Sequence, residues 1–516
     1  MATGFLYKAC LRGYYVYVVV ELDGHSLTLT AAWQVVVDGE PVHATAGALA
    51  RAANSHSGVL SIVAEGRTVY GISTGLGKLS SVTVGRDDLA ALQHNLVRSH
   101  AVGVGSPLDE EAVRGMLLFR ANSLLKGCSG VRPRLVELLL GCLNAGLVPV
   151  VPAQGSVGAS GDLAPLAHLA LVLLGEGRAY WGGDELPGGE ALARAGLEPV
   201  APLAPKEGLA LLNGTAYMLS LAFLAWTSAR RALDAAVGTA ALSFEALRGR
   251  REPLDERVHA ARPHPGQGRI AAALRELIKG SQLVDTLSGD VQDPYSLRCL
   301  PQIIGPSLEA LEVAGQRLEL EMNSATDNPL VFADGTALSG GNFHGQILAL
   351  MAELLAMGTA EIGASCERRI ALLLSGAERG LPDFLTRKGG LHSGLMMAQY
   401  SAAALVAENK VLCHPACVDS VPTSGGKEDH NSMGSVSAWK ALRVAENVCR
   451  QVALEMVCAA QAGELAGVRS LSPAGRELWE RVRQVSPQVS EDRALSEEVE
   501  KLAVMVRDGE LASYGL

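Results

Sequence analysis

Between Gly155 and His168 the chain reads Gly-Ser-Val-Gly-Ala-Ser-Gly-Asp-Leu-Ala-Pro-Leu-Ala-His, with Ala159-Ser160-Gly161 at its centre. Residues this small permit backbone conformations and close approaches that a side chain forbids. By composition alone the run is as much a plain tight turn as a reactive segment. Other chemistry-bearing residues are dispersed. Tyr70-Gly-Ile-Ser-Thr-Gly-Leu-Gly-Lys78 puts a phenol, with an ordinary pKa of about 10, in a glycine-rich loop. Its glycine spacing, with Leu79 after Lys78, fails the phosphate-binding pattern. In Gln292-Asp-Pro-Tyr-Ser-Leu-Arg298, the planar guanidinium of Arg298 suits bidentate capture of a carboxylate. Taken singly, Arg298 reads as a surface charge, Tyr295 and Phe343 as packing aromatics, and Asn213 before Gly214 as a turn residue. His100 and Glu428, as isolated residues, read as simply satisfied or exposed.

These residues need a rigid frame, and its signal is helical. Leu308, Leu311, Leu318 and Met322 recur at i, i+3, i+10 and i+14, on one face of a helix that must stop before Asn328-Pro329. Segments from about Ile347 to Ser375 and from about Ser435 to Ala462 are rich in Ala, Leu, Met and Glu and lack proline, as long helices do. Leu495, Val499 and Leu502 mark a shorter amphipathic helix behind Ser490 as its cap. An apolar run over Tyr14–Val20 reads as a strand. Val18–Asp23 and Ser26–Thr30 flank Asp23-Gly24, which predicts a hairpin. Four glycine-rich or polar stretches interrupt the helices, at 70–78, 154–162, 292–302 and 424–434, and loops of this kind are where chemistry tends to sit. The apolar run from Leu209 to Trp226 is broken by Asn213 and Thr215, which argues for a bundle helix and against a membrane span.

The fold class expected is mainly α, a long central helical bundle with a small N-terminal β-element. Its 516 residues divide as 1–205 with the tyrosine loop and the Ala-Ser-Gly segment, 206–470 as the long-helix bundle, and 471–516 as C-terminal helices. Hydrophobic residues at 48% and charged residues at 19% exclude disorder, and aromatics at 4% indicate a core of Leu, Ala and Val. A net charge of −10 disfavours nucleic acid and anionic membranes as partners and leaves a small molecule as the expected ligand. Nine cysteines without CxxC pairs suggest reduced thiols in the cytoplasm. Cys413-His414 with Cys417 lacks a second ligand pair, so no metal is expected.

The Gly155–His168 stretch closely resembles the signature of the histidine and aromatic amino acid ammonia-lyases. In that family Ala-Ser-Gly cyclises to 4-methylideneimidazol-5-one, a cofactor formed without any external component. The resemblance extends from about Glu21 to the C-terminal region. It implies cyclisation of Ala159, Ser160 and Gly161, with the Gly161 nitrogen reaching the Ala159 carbonyl carbon and Ser160 losing its hydroxyl. Such an electrophile captures the substrate amine and makes it a better leaving group. The resemblance also implies Tyr70 as the base over the electrophile, its pKa depressed by positive charge or helix N-termini. Asn213 stands beside the electrophile, Tyr295 assists proton transfer or positions the amine, Gln292 bonds nearby, and Arg298 holds the carboxylate. Asn323-Ser-Ala-Thr-Asp-Asn-Pro329 and Ser339-Gly-Gly-Asn-Phe-His-Gly345 match further family segments, Phe343 corresponding to a wall of the site. The precedent is a homotetramer whose active sites are shared between subunits.

Substrate choice rests on Ser99-His100-Ala101 and Lys427-Glu-Asp-His430, both similar to the histidine-specific form. A phenyl ring would leave the Glu428 carboxylate unpaired. The chain departs from the family pattern at Ser73, Leu76, Leu300 and Lys427. Those departures keep a tyrosine or phenylalanine lyase, or a 2,3-aminomutase with the same cofactor, as alternatives. A scaffold that kept the fold and lost the chemistry is the alternative of another kind.

Overall fold

The computed structural model describes residues 19–287 and 291–512. Four long helices dominate: Ala216–Ala246, Leu300–Met322, Gln346–Leu374 and Gly434–Ala466. The last has 33 residues and so spans about 50 Å. The face expected on the second is buried throughout, with Leu308, Leu311, Leu318 and Met322 at most 1% exposed. Shorter helices begin where the sequence offers caps. Thr45 accepts from the Ala48 N–H, Ser472 accepts from the Gly475 N–H, and Pro133 occupies a first-turn position of Pro133–Asn144. The β-structure is minor, in four small sheets with strands of four residues or fewer among those described.

Two compact units emerge. Among the described residues, one lies within 1–223, 316–350 and 416–438, and the other within 224–315, 351–415 and 439–516. In the first, Gly345 and Gly434, just before or at the start of two long helices, press on Met218 in the first turn of a third. A Cβ would lie 2.2 Å from the Met218 sulfur at Gly345 and 2.6 Å at Gly434, so a larger residue at either position would make the end of the Met218 side chain move. In the second unit, Arg369 and Glu455 form a fully buried bidentate pair (2.6 and 2.7 Å), and the Ser243 hydroxyl donates to the same carboxylate (2.7 Å).

Three expectations are corrected. The predicted hairpin at Asp23-Gly24 is absent: Val20–Leu22 pairs in parallel with Val42–Ala44, and residues 29–33 are helical. The Asp23 carboxylate instead accepts from the His25 and Ser26 N–H groups (2.7 and 2.8 Å), folding a local turn that leads into the helix. Of the Tyr14–Val20 run, the part through Val18 lies outside the described residues. Ser490 is not a cap, since the last helix starts at Ser496 with Leu495 in the cap position and Glu497 and Glu498 in its first turn. The 292–302 stretch is not one loop, because Tyr295–Arg298 is helical and Leu300 begins a long helix.

Candidate active site

The Ala-Ser-Gly segment lies between the strand Pro152–Gln154 and the helix Leu163–Leu173. Gly161 has φ +76° and bridges to Gly214, and a Cβ on it would stand 2.3 Å from the Gly214 carbonyl oxygen. Ser160 also adopts a positive φ, +51°, which costs a residue with a Cβ about 1–2 kcal/mol. Strain of this kind persists where the surroundings enforce it, and here they do. The Ser160 carbonyl accepts from the Asn213 side-chain amide (2.7 Å) and its hydroxyl donates to Glu428 Oε1 (2.7 Å). Next in sequence, Asp162 is fully buried at the N-terminus of the helix Ala216–Ala246. It accepts from the Met218 N–H (2.9 Å) and the Ser156 hydroxyl (3.1 Å). Burial pushes its carboxyl up to about 7 against the pull of those bonds.

Asn213 ends the short helix Glu207–Leu212, whose cap residue Lys206 is left-handed (φ +79°) and fully buried. Lys206 Nζ is tied to Asp327 Oδ2 at 2.7 Å. The same helix is fastened to the tyrosine loop by Gln93. Its amide donates to the Gly71 carbonyl (3.3 Å) and its oxygen accepts from the Leu209 N–H (3.2 Å). Gly71, at φ +69°, sits where a Cβ would meet a Leu209 methyl at 2.2 Å.

Tyr70 is thereby held in the site, its hydroxyl accepting a long bond from the Gly77 N–H (3.4 Å). Its ionisation runs against expectation. Burial raises the phenol above its ordinary value, the Glu428 charge raises it further, and only the Gly77 N–H acts in the other direction. His100 closes the helix Leu89–His100, and burial lowers its pKa while the Leu96 carbonyl and Glu428 oppose the shift. With Nδ1 2.9 Å from the Leu96 carbonyl, the neutral ring carries its proton there and leaves Nε2 as an acceptor. Glu428 Oε2 accepts from the Thr423 hydroxyl at 2.6 Å.

Tyr70, His100, Ser160, Asn213, Phe343 and Glu428 line one cavity of about 460 Å³, a volume suited to a small ligand. Its apolar wall includes Leu92, Leu96, Leu163 and Leu209, together with Leu76, one of the departures from the family pattern. A second departure, Ser73, has a local role: its hydroxyl donates to the Arg67 carbonyl and accepts from the Val69 N–H, folding the turn that leads to Tyr70. Leu300 is buried in the first turn of its helix, and Lys427 is exposed.

The cavity also contains residues that sequence reasoning did not single out. Asn328 is 7% exposed and its oxygen accepts from the Ser339 hydroxyl (3.1 Å) and the Gly340 N–H (2.7 Å), which leaves its amide hydrogens to the cavity. Asn95 and Ser424 line it as well. The Asn-Pro pair in the 323–329 match was the available signal for Asn328, and Ser424 opens the polar 424–434 stretch; nothing local marked Asn95.

Gln292, Tyr295 and Arg298 do not line this cavity and belong to the other compact unit. There Tyr295 is 66% exposed and the Arg298 guanidinium lies 4.7 Å from the centre of its ring. Arg298 Nε donates to the Asp293 carbonyl at 2.9 Å. Gln292 is exposed.

Comparison with known proteins agrees over almost the whole chain. Residues 27–484 match the aromatic amino acid lyase family. A histidine ammonia-lyase of Geobacillus thermodenitrificans is 48% identical over 485 residues, covering 93% of this chain and 96% of that one. One from Bacillus cereus is 45% identical, covering 95% and 97%. Among solved structures, histidine ammonia-lyase from Trypanosoma cruzi superposes with a TM-score of 0.90 at 41% identity, over 96% of this chain and 95% of that one. A tyrosine aminomutase from Streptomyces globisporus reaches 0.91 at 38% identity, over 96% and 98%.

Proposed function

This chain belongs to the aromatic amino acid lyase family, and we propose that its cavity takes L-histidine and eliminates ammonia from it to give trans-urocanate. It is a carbon–nitrogen lyase of the ammonia-lyase type. The observation that carries the choice of histidine is the pairing of His100 and Glu428 in one cavity with Ser160. His100 Nε2 and Glu428 Oε1 are both acceptors, so Glu428 can receive the single N–H of a neutral imidazole, and the two together suit the protonated ring, which carries an N–H at each nitrogen. A phenyl ring offers neither. The fold itself does not discriminate, since histidine lyases and an aminomutase superpose almost equally well.

The residues present fit a 4-methylideneimidazol-5-one ring closed from Ala159, Ser160 and Gly161. Gly161 tolerates no Cβ, Ser160 is held in a strained conformation, and each polar end of Ser160 already has a partner. The ring would supply an electrophilic carbon to which the substrate amine bonds, making nitrogen a better leaving group. Asn213 orients and polarises the Ser160 carbonyl. Loss of the Ser160 hydroxyl would free Glu428 Oε1 for the substrate ring. The amide hydrogens of Asn328 and the apolar wall of Leu92, Leu163 and Leu209 hold the substrate and exclude water.

Tyr70 is the base for the β-proton in this reading. Within the chain's own cavity only the Gly77 N–H pulls its pKa down, and burial outweighs it, so the positive charge that makes it effective has to come with the rest of the site. Arg298 provides that charge and binds the substrate carboxylate, with Tyr295 and Gln292 beside it. All three are contributed by a neighbouring subunit of a homotetramer. The exposure of Tyr295 and Gln292 in the single chain supports this reading. A cytoplasmic location accords with eight free cysteines among the described residues.

The test is incubation of the purified protein with L-histidine, L-tyrosine and L-phenylalanine. Urocanate forming from histidine at a rate well above the aromatic products is the expected result. A β-amino acid product or preference for tyrosine would move the assignment to an aminomutase or tyrosine lyase, and inertness toward all three would favour the silent scaffold.

A further inference from the structure

Arg120 sits on the helix Glu110–Leu124, outside the cavity, and is completely buried. Other buried arginines show what such a residue normally does. Arg369 holds a carboxylate through two bonds, and Arg114 serves the carbonyls of Val35, Val36 and Leu143. Arg120 holds no carboxylate and reaches one carbonyl. Its Nη1 donates to the Asn213 carbonyl at 2.9 Å, Nη2 reaches the Ser123 hydroxyl at 3.4 Å, and Nε has no partner. The acid whose charge acts on it, Asp327, is already engaged, Oδ1 by Ser129 (3.0 Å) and Oδ2 by Lys206 (2.7 Å). A buried guanidinium compensated this poorly is expensive to keep. Holding one carbonyl would need only a neutral donor.

We propose that Arg120 is a positioning residue for the electrophile, supplying through Asn213 a positive charge behind the Ser160 carbonyl. The inference rests on the reading of Ala159 to Gly161 as the cofactor-forming segment. The contacts are continuous: Arg120 Nη1 to the Asn213 carbonyl at 2.9 Å, then the Asn213 side-chain amide to the Ser160 carbonyl at 2.7 Å. Asn213 Oδ1 is buried without a partner, so the carboxamide is not anchored through its own oxygen, and the clamp on its main chain carries its aim. Gly214 packs against the guanidinium, where a Cβ would come within 2.0 Å of Nη1. In the ring, the Ser160 carbonyl is conjugated with its β-carbon. Positive charge behind that carbonyl withdraws electron density from the carbon and stabilises negative charge arriving at the oxygen, and a dry interior leaves the effect unscreened.

The test uses the full chain with Arg120→Met, which removes the charge at similar volume, and Arg120→Lys, which keeps it. Intact mass reports ring formation, and cyanide serves as a small nucleophile whose rate of attack is followed by the loss of near-ultraviolet absorbance. Arg120→Met is expected to react with cyanide about tenfold more slowly than wild type, equivalent to about 1.4 kcal/mol. Its kcat should fall by a similar factor while KM changes less than about twofold, the pattern of an interaction used after binding. Arg120→Lys should recover most of both. A purely structural role would lower thermal stability and leave the reactivity of the folded, ring-bearing protein unchanged. Lysine and methionine variants alike in mass and cyanide rate overturn the proposal. Should Arg120→Met be insoluble, Asp327→Asn tests the same field with the opposite sign: a several-fold faster cyanide reaction supports it, and an unchanged or slower one overturns it. A wild-type mass that is not two waters short would defeat the cofactor reading itself.

Discussion

Replacing Glu428 by methionine removes the acceptor that faces Ser160 and keeps most of the side-chain volume. If Glu428 reads the substrate ring, two free-energy changes of opposite sense result. Histidine loses a charge-assisted hydrogen bond, about 1.5–3 kcal/mol. Phenylalanine no longer strands an unpaired carboxylate oxygen against its ring, which relieves about 1–3 kcal/mol. The sum, about 2.5–6 kcal/mol, shifts the histidine-to-phenylalanine ratio of kcat/KM by roughly 10² to 10⁴. Glu428 is half-buried in the single chain, which places the expectation nearer the lower figure. The assay follows urocanate and cinnamate absorbance with the two amino acids. Intact mass verifies that the variant still loses two waters, because Ser160 donates to this carboxylate before any ring forms. A ratio that stays within about threefold of wild type, in ring-bearing protein, would refute the role given to Glu428.

Two further outcomes are expected. Asp162, its carboxyl raised by burial from an ordinary value of 3.8 to about 7, makes a contribution to stability that is fully present below pH 3.8 and is lost as pH rises through 7. Three units correspond to at most about 4 kcal/mol. The melting temperature of wild type relative to Asp162→Asn should therefore fall between pH 4 and 7, and parallel curves would contradict the assignment. Tyr70→Phe and Arg298→Ala should each be nearly inactive, yet mixed tetramers refolded from both should regain about a quarter of wild-type activity if the two residues meet across subunits. No recovery would place them on one chain.

Local signals made the long helices readable. The 308–322 face comes from apolar spacing, and the break at Asn213 comes from polar residues inside an apolar run. Asp23-Gly24 misled because a turn dipeptide does not specify the element after it. Gly24 donates to Asn122 Oδ1, 98 residues away, and that contact holds the turn against the helix Glu110–Leu124. The tripeptide at 159–161 carried meaning only through its resemblance to a family. What the sequence withheld are buried polar residues whose partners are distant: Arg120 reaches Asn213 across 93 positions, and Gln93 reaches Leu209 across 116. The electrostatic state of Tyr70 was also hidden, since burial and the charge of Glu428 depend on a cavity assembled from several separate segments.

The central claim is that the chain makes its own electrophile from Ala159, Ser160 and Gly161 and uses it on histidine. The most direct measurement is intact mass together with urocanate formation for wild type and Ser160→Ala. Wild type is expected to weigh two waters less than its sequence and to produce urocanate. Ser160→Ala should not lose both waters, and its kcat should fall roughly a thousandfold or more. A wild-type chain of full mass, or a Ser160→Ala variant that keeps its activity, would contradict the account.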